Sequence, residues 1–432
     1  MDTTIATELG VFPSNWRVGR FDSLFDVQQG RQVSKGNRIG ENQRPFLRTK
    51  NVFWNRLDLT DLDEMYFSEA DESRLALKPD DLLICEGGDI GRTTIWRGAI
   101  SSCYYQNHLH RARIRDPKTA DAQFVLFWLW YAFEFGHLYF GRGNVTTIPN
   151  LSQSKLRELP VAIPPLAEQR KIAAVLGLVQ RALEQQERLI ALTTELKKAL
   201  LHQFFTQGLR GEPQKQTEIG PVPQRWEVVP LGEYLTEAQY GISAKGSKSG
   251  GYAVLRMTNQ RQGRISSDNL QYVELTENQF KKFRVERRDI LFNRTNSFEL
   301  VGRTAIFDLD GDFVFASYLI RLRTDAKRLQ SFFLNHYFNW EETQVRLKSI
   351  ATRAVSQSNI SATRLRGFLV PMPKPDEQEE IVEKVDCLDQ KLSVHARKHA
   401  ALTALFRTLL HNLMTAQLRV HELDLPNLEI KQ

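Results

Sequence analysis

The chain has 432 residues, 41% of them hydrophobic and 25% charged, with a formal net charge of +7. That length holds two to four ordinary domains, and that balance belongs to a globular protein with a real core. No apolar run reaches the roughly 18 residues of a membrane helix, and three scattered cysteines, Cys85, Cys103 and Cys387, exclude a disulfide framework.

Met1-Asp2-Thr3-Thr4 shows no basic stretch followed by an apolar one, so no export is expected and a cytoplasmic location is. Short β-like runs broken by Gly and Asn turns come first, among them Asp81-Leu82-Leu83-Ile84 and Thr93-Thr94-Ile95-Trp96. A helical stretch over 122–139 follows, then Ile163-Pro164-Pro165, which marks a helix start because Pro is tolerated in the first turn. The next helix carries an apolar seam through Ile172, Leu176, Val179 and Leu183, passing Gln186 before Ile190.

The same order then returns. Asp289-Ile290-Leu291-Phe292 reads as a strand, 329–347 as helical, and Pro371-Met372-Pro373-Lys374-Pro375 as a second helix start. Its seam runs Ile381, Val385, Leu388, Leu392, His395, His399, Leu402, Phe406, Leu409 and Leu413, alternating four and three as a heptad repeat does. About 40 residues at ~1.5 Å each make a rod of roughly 60 Å. Such a stripe has to be buried, and the other copy is the natural partner. His395 and His399 have metal-pair spacing, but polar register-setters opposite Gln186 are the preferred reading.

The return is a duplication. Gly10-Val11-Phe12-Pro13…Trp16 reappears as Gly220-Pro221-Val222-Pro223…Trp226, a shift of 210. Leu47-Arg48 meets Leu255-Arg256 at 208, Gly91-Arg92-Thr93 meets Gly302-Arg303-Thr304 at 211, and Glu168-Gln169 meets Glu377-Gln378 at 209. The helices and their first turns match closely, whereas the loops of the globular parts hardly match. Two halves that must pair keep alike; two readers of different sequences differ in their contact loops.

Catalytic motifs are missing. There is no G-x-x-x-x-G-K-[ST] loop, nor the Asn/Asp-Pro-Pro-aromatic tetrapeptide of amino-methyltransferases. Gly87-Gly88-Asp89-Ile90-Gly91 reads as a tight turn rather than a nucleotide loop. Asp80 with Glu86 imitates a nuclease carboxylate pair, but Gly88 stands where its lysine belongs and copy two has Arg294 instead. His108-Leu109-His110 has ligand-like spacing without a convergent carboxylate or cysteine.

The loops instead carry side chains suited to nucleic acid. Copy one offers Arg31, Lys35, Arg48, Lys50, Asn51, Tyr105, Gln106, Asn107, Arg142 and Asn144. Copy two offers Tyr240, Lys245, Lys248, Arg256, Asn259, Asn293, Arg294, Asn296, Arg353 and Gln357. Arg pairs bidentately with guanine and Asn or Gln with adenine, while Lys suits phosphate.

Asn150-Leu151-Ser152…Ile163-Pro164-Pro165-Leu166-Ala167-Glu168-Gln169, with its repeat Asn359-Ile360-Ser361…Asp376-Glu377-Gln378, resembles the end of a target recognition domain in type I restriction–modification specificity subunits. The resemblance covers about 10–420. It implies an α/β (α+β) fold in which two globular recognition domains alternate with two long helices, paired as an antiparallel coiled coil about a pseudo-two-fold axis. The expected divisions are 1–164 and 210–373 for the recognition domains, 165–209 and 374–420 for the helices, and 421–432 for a tail.

Each domain would read half of a split double-stranded DNA site, with the helices as a ruler. Glu168, Gln169, Glu377 and Gln378 are the candidate contacts to partners: two methyltransferase subunits with S-adenosylmethionine, and restriction (translocase) subunits with ATP and Mg²⁺. The chain itself would bind no cofactor or metal and catalyse nothing. Arg170-Lys171 departs from Glu379-Glu380, so the starts of the two long helices need not meet partners alike. The alternative reading is a coiled-coil scaffold with two protein-binding domains.

Overall fold

A computed structural model describes residues 3–39, 41–139, 150–353 and 357–423. The chain divides into two compact units, Met1–Glu187 with Arg397–Gln432, and Arg188–Ala396.

In the first unit, strands β1 (Phe25–Gln29), β2 (Leu82–Cys85), β3 (Thr93–Ile95) and β4 (Leu109–Ile114) form an antiparallel sheet of order β3-β2-β4-β1. All four residues of β2 are buried. Leu82 and Ile84 join one apolar cluster while Leu83 and Cys85 join another, so this sheet is covered on both faces. A smaller sheet supplies the second cover, with Tyr104–Tyr105 parallel to Gln43–Leu47 and Asp63–Tyr66 antiparallel to it. Helix α1 (Ala122–Trp130) packs into the first cluster and continues as a π-helical turn over Tyr131–Phe135.

The second unit repeats the plan. Strands β5 (Leu235–Tyr240), β6 (Ile290–Asn293), β7 (Thr304–Ile306) and β8 (Leu319–Thr324) run β5-β8-β6-β7, extended by Arg264–Ile265 and Gln260–Arg261 to six strands. Ile290 and Phe292 face one cluster and Leu291 the other. The single helix expected over 329–347 is two, Ser331–Asn339 and Glu341–Ser349, because Trp340 between them is extended (ψ 140°).

The long helices are Leu166–Gln207, 42 residues, and Pro375–Met414, 40 residues, called α2 and α4 with Ser331–Asn339 as α3. Helix α2 ends at Gly208, whose φ of +69° is the left-handed cap that glycine adopts without penalty, and its N–H returns to Phe204 O at 3.2 Å. Helix α4 opens on Pro375, whose missing N–H would be unpaired there in any case. Of the seam residues, Ile381, Val385, Leu388, Phe406 and Leu413 are buried, as are Ile172, Leu176 and Gln186. Within the first unit, Ile172 and Leu176 share a core with Phe406, Leu410 and Leu413; within the second, Leu201, Phe204 and Phe205 share one with Ile381 and Val385. His399 lies 3.3 Å from Glu187. Among the described residues, no helix is long and apolar enough to cross a membrane.

Candidate nucleic-acid interface

Each long helix begins in the same lock. Glu168 takes the Trp16 indole N–H at 3.2 Å, and Glu377 takes that of Trp226 at 2.9 Å. Gln169 spends its whole amide internally: its Oε1 accepts from Asp121 N at 2.9 Å, and its Nε2 donates to Thr119 O at 3.1 Å and Pro164 O at 2.9 Å. Gln378 does the same with Gln330 N at 2.8 Å, Arg328 O at 2.9 Å and Pro373 O at 2.9 Å. The repeated Glu-Gln pair thus ties the helix start to the loop before α1 or α3. Arginines complete the locks, Arg419 on Glu168 at 3.1 Å and Arg225 on Glu377 at 2.6 Å. Burial pushes the Glu377 carboxyl above its usual range, against the pull of Trp226 and Arg225. Gln169 and Gln378, 1% and 0% exposed, offer a partner nothing in this structure, and Glu168 and Glu377 are committed inward. Their expected docking role is corrected on that ground: buried polar groups already paired have no free valence.

The loop candidates divide by burial. Asn51 and Asn259 are buried clasps: each Oδ1 accepts the N–H of Arg48 or Arg256, at 2.9 and 3.0 Å. Their Nδ2 groups donate to Asp58 O and Asp61 O, or to Ser266 O and Asp268 O. Tyr105, Gln106 and Asn293 are also buried. Burial is also what raises the Tyr105 phenol pKa. Several cations are neutralised within the unit: Arg31 by Asp71, Arg48 by Asp63 at 2.7 Å and Lys50 by Asp61 at 2.6 Å. Arg256 donates to Asn269 O at 2.8 Å, and Asn296 accepts from Ser297 N at 2.8 Å. Lys35, Lys245, Lys248 and Gln357 are exposed, Asn107 is half-buried, and exposed Arg353 lies 3.9 Å over the Phe298 ring. Arg142 and Asn144 lie outside the described residues.

A third set stands on one repeated frame. Glu86 N donates to His108 O at 3.0 Å and Leu151 N to Glu86 O at 2.9 Å; correspondingly, Arg294 N donates to Tyr318 O at 3.0 Å and Ile360 N to Arg294 O at 2.9 Å. Gln29 pairs with His110 across β1 and β4, as Tyr240 pairs with Ile320 across β5 and β8. Gly30 and Gly241 follow, each so close to two carbonyls (Tyr105 and Gln106, or Phe315 and Ala316) that a Cβ would collide. Position for position, Gln29, Glu86 and His108 therefore match Tyr240, Arg294 and Tyr318. In the sequence alone, the exchange of Glu86 for Arg294 reads as a failed metal cradle.

This duplicated architecture has known relatives. The model of the type I restriction modification DNA specificity domain matches residues 13–194 and again 223–404, two spans of equal length set 210 apart. The chain belongs to that family. It is 29% identical over 226 residues to the MjaX specificity subunit of Methanocaldococcus jannaschii, a match spanning 52% of each chain, about half that relative's length. To the EcoKI specificity subunit of Escherichia coli it is 21% identical over 395 residues, covering 88% of this chain and 83% of that one. The fold resembles the crystal structure of the type I restriction–modification S subunit from M. genitalium, with a TM-score of 0.59 at 18% identity over 92% of this chain and 96% of that chain.

Within this specificity-subunit fold, two further polar groups among the described residues are already satisfied. His336, Asp386 and Asp389 approach one another as metal ligands would. Arg264 sits 2.9 Å from Asp386, however, and Lys197 pairs with Asp389, so two cations already hold these carboxylates. His110, of the ligand-like His-Leu-His, is fully buried and bonded to Leu151 O at 2.8 Å; burial lowers its pKa.

Proposed function

We propose that this specificity subunit reads a split, asymmetric double-stranded DNA site, one globular part to each half-site. The carrying observation is the match of both halves to one DNA specificity domain while the contact loops of those halves differ. Exposed Lys35, Lys245 and Lys248 suit phosphate contacts, which set affinity without reading sequence. In this reading the seams of α2 and α4 meet as an antiparallel coiled coil and act as the ruler between half-sites roughly 10 bp apart. The chain would be non-catalytic and cytoplasmic, without a cofactor of its own. Two methyltransferase subunits would bring S-adenosylmethionine, and restriction subunits ATP and Mg²⁺.

The deciding measurement is DNA binding against salt concentration. Phosphate contacts give log K a slope of about −0.9 per contact, so several-fold weaker binding is expected between 50 and 200 mM salt, on the order of tenfold for two such contacts. A flat salt response with no split-site preference would favour the scaffold alternative. Shortening both helices by one heptad should change the preferred gap and leave the half-sites alone; an unchanged gap sinks the ruler.

A further inference from the structure

The matched trios carry opposite chemistry on the same backbone hydrogen-bond frame. In the first unit, Glu86 Oε2 accepts from Gln29 Nε2 at 3.2 Å and lies 3.8 Å from His108 Nδ1. Gln29 Nε2 also donates to Asn107 O at 3.0 Å. The amide donors are thus spent inside; Glu86 is only 8% exposed, and acceptor oxygens are what this cluster offers beside the exposed His108 ring. In the second unit the Arg294 guanidinium lies 4.6 Å over the Tyr240 ring, next to a Tyr318 that is 49% exposed. The Tyr240 hydroxyl accepts from Ala362 N at 2.9 Å, which pins the ring and hence the plane stacked on it. Arg294 Nε is buried without a hydrogen-bond partner among the described residues. Arg294 Nη1 donates to Ser317 O at 3.3 Å, and the remaining N–H groups of the guanidinium are the donors this cluster offers.

Scaffold positions behave differently. Asp81 with Arg113 recurs as Asp289 with Arg323, and the Asn51 clasp recurs at Asn259. At these two scaffold positions both copies keep the same chemistry. Here the backbone hydrogen bonds repeat and the charge inverts, at positions partly shielded from solvent rather than on a freely drifting surface.

We propose that these trios are base-reading centres of the two half-sites: Arg294 for guanine, and Glu86 with Gln29 for an exocyclic amino group, cytosine N4 or adenine N6. The assignment rests on the DNA-reading function above. A planar guanidinium fork matches the O6 and N7 acceptors of guanine, and a carboxylate accepts from an amino donor, so one frame reads complementary edge chemistry in the major groove. Tyr240 and Tyr318 hold and flank the Arg294 plane, as Gln29 and His108 do for Glu86.

The test is selection from duplexes randomised in both half-sites, using the full chain assembled with its methyltransferase partners. Arg294→Gln should lose about tenfold or more of a guanine preference at one position of one half-site, on the scale of a lost bidentate contact. The other half-site should stay as it was. Glu86→Gln should relax one position of the opposite half-site, and the base recovered there by the unaltered chain distinguishes cytosine from adenine. Glu86→Arg should move that position toward guanine. Tyr318→Ala, on an exposed ring, supplies the same second-unit readout if Arg294→Gln does not fold. Unchanged selections, or an affinity loss uniform over all sequences, would overturn the assignment. An unaltered chain that selects nothing in either half would instead overturn the DNA-reading proposal.

Discussion

Replacing Gln378 with Ala removes one buried amide that serves three backbone groups: the Gln330 N–H and the carbonyls of Arg328 and Pro373. Gln378 is 0% exposed, so water does not replace it without opening the structure. A net hydrogen bond contributes about 1 kcal/mol, and a buried donor left unpaired costs about 1–3 kcal/mol. One stranded donor and two partly stranded acceptors therefore sum to about 3–5 kcal/mol, a large share of the 5–15 kcal/mol typical of a domain. Urea denaturation of Gln378→Ala should show that loss, and hydrogen exchange at the Gln330 amide should accelerate. Gln169→Ala should behave alike, because its bonds have the same geometry. A Gln378→Ala chain with unaltered stability that no longer joins the proposed methyltransferase subunit would contradict this account. It would restore the glutamine as a docking contact.

Two further outcomes follow from burial and charge. Burial pushes the Asp386 carboxyl up, but the His336 hydrogen bond and the Arg264 charge outweigh it and hold the group below its usual value of 3.8. The ionised pair therefore stabilises fully above about pH 4 and is lost as pH falls through the folded value. Asp386→Asn should be less stable at pH 7 and show a shallower acid limb in thermal melts between pH 5 and 2; an unchanged limb would count against the pairing. Among the cysteines, Cys387 is exposed, whereas burial pushes Cys85 to about 11 and Cys103 to about 12. A thiol reagent at pH 8 should label Cys387 alone in the native chain and all three cysteines after unfolding, since thiolate and access both govern the rate.

The duplication, the mixed α/β class and the two long helices were legible without coordinates, because their signals are local. Proline at a helix start, glycine past a helix end and apolar residues alternating at four and three all act on the backbone within a turn or two. The corresponding elements are Pro375 at the start of α4, Gly208 beyond α2 and the buried Ile381, Val385 and Leu388. What failed was the local reading of polar residues. Asn51, Asn259, Tyr105 and Gln378 look like contact residues because their groups can donate and accept, yet the fold buries them and uses those groups itself.

From the order of residues alone it follows that one unit occurs twice and that its loops diverge. Which of those divergences carry meaning depends on the folded chain. A hydrogen-bond partner is chosen by spatial proximity, often across 50 or more residues, as for Gln29 with Glu86 and for Tyr240 with Ala362. No spacing rule anticipates such a partner. The exchange of Glu86 for Arg294, which reads in one dimension as a broken motif, becomes in three dimensions a change of charge at one fixed place.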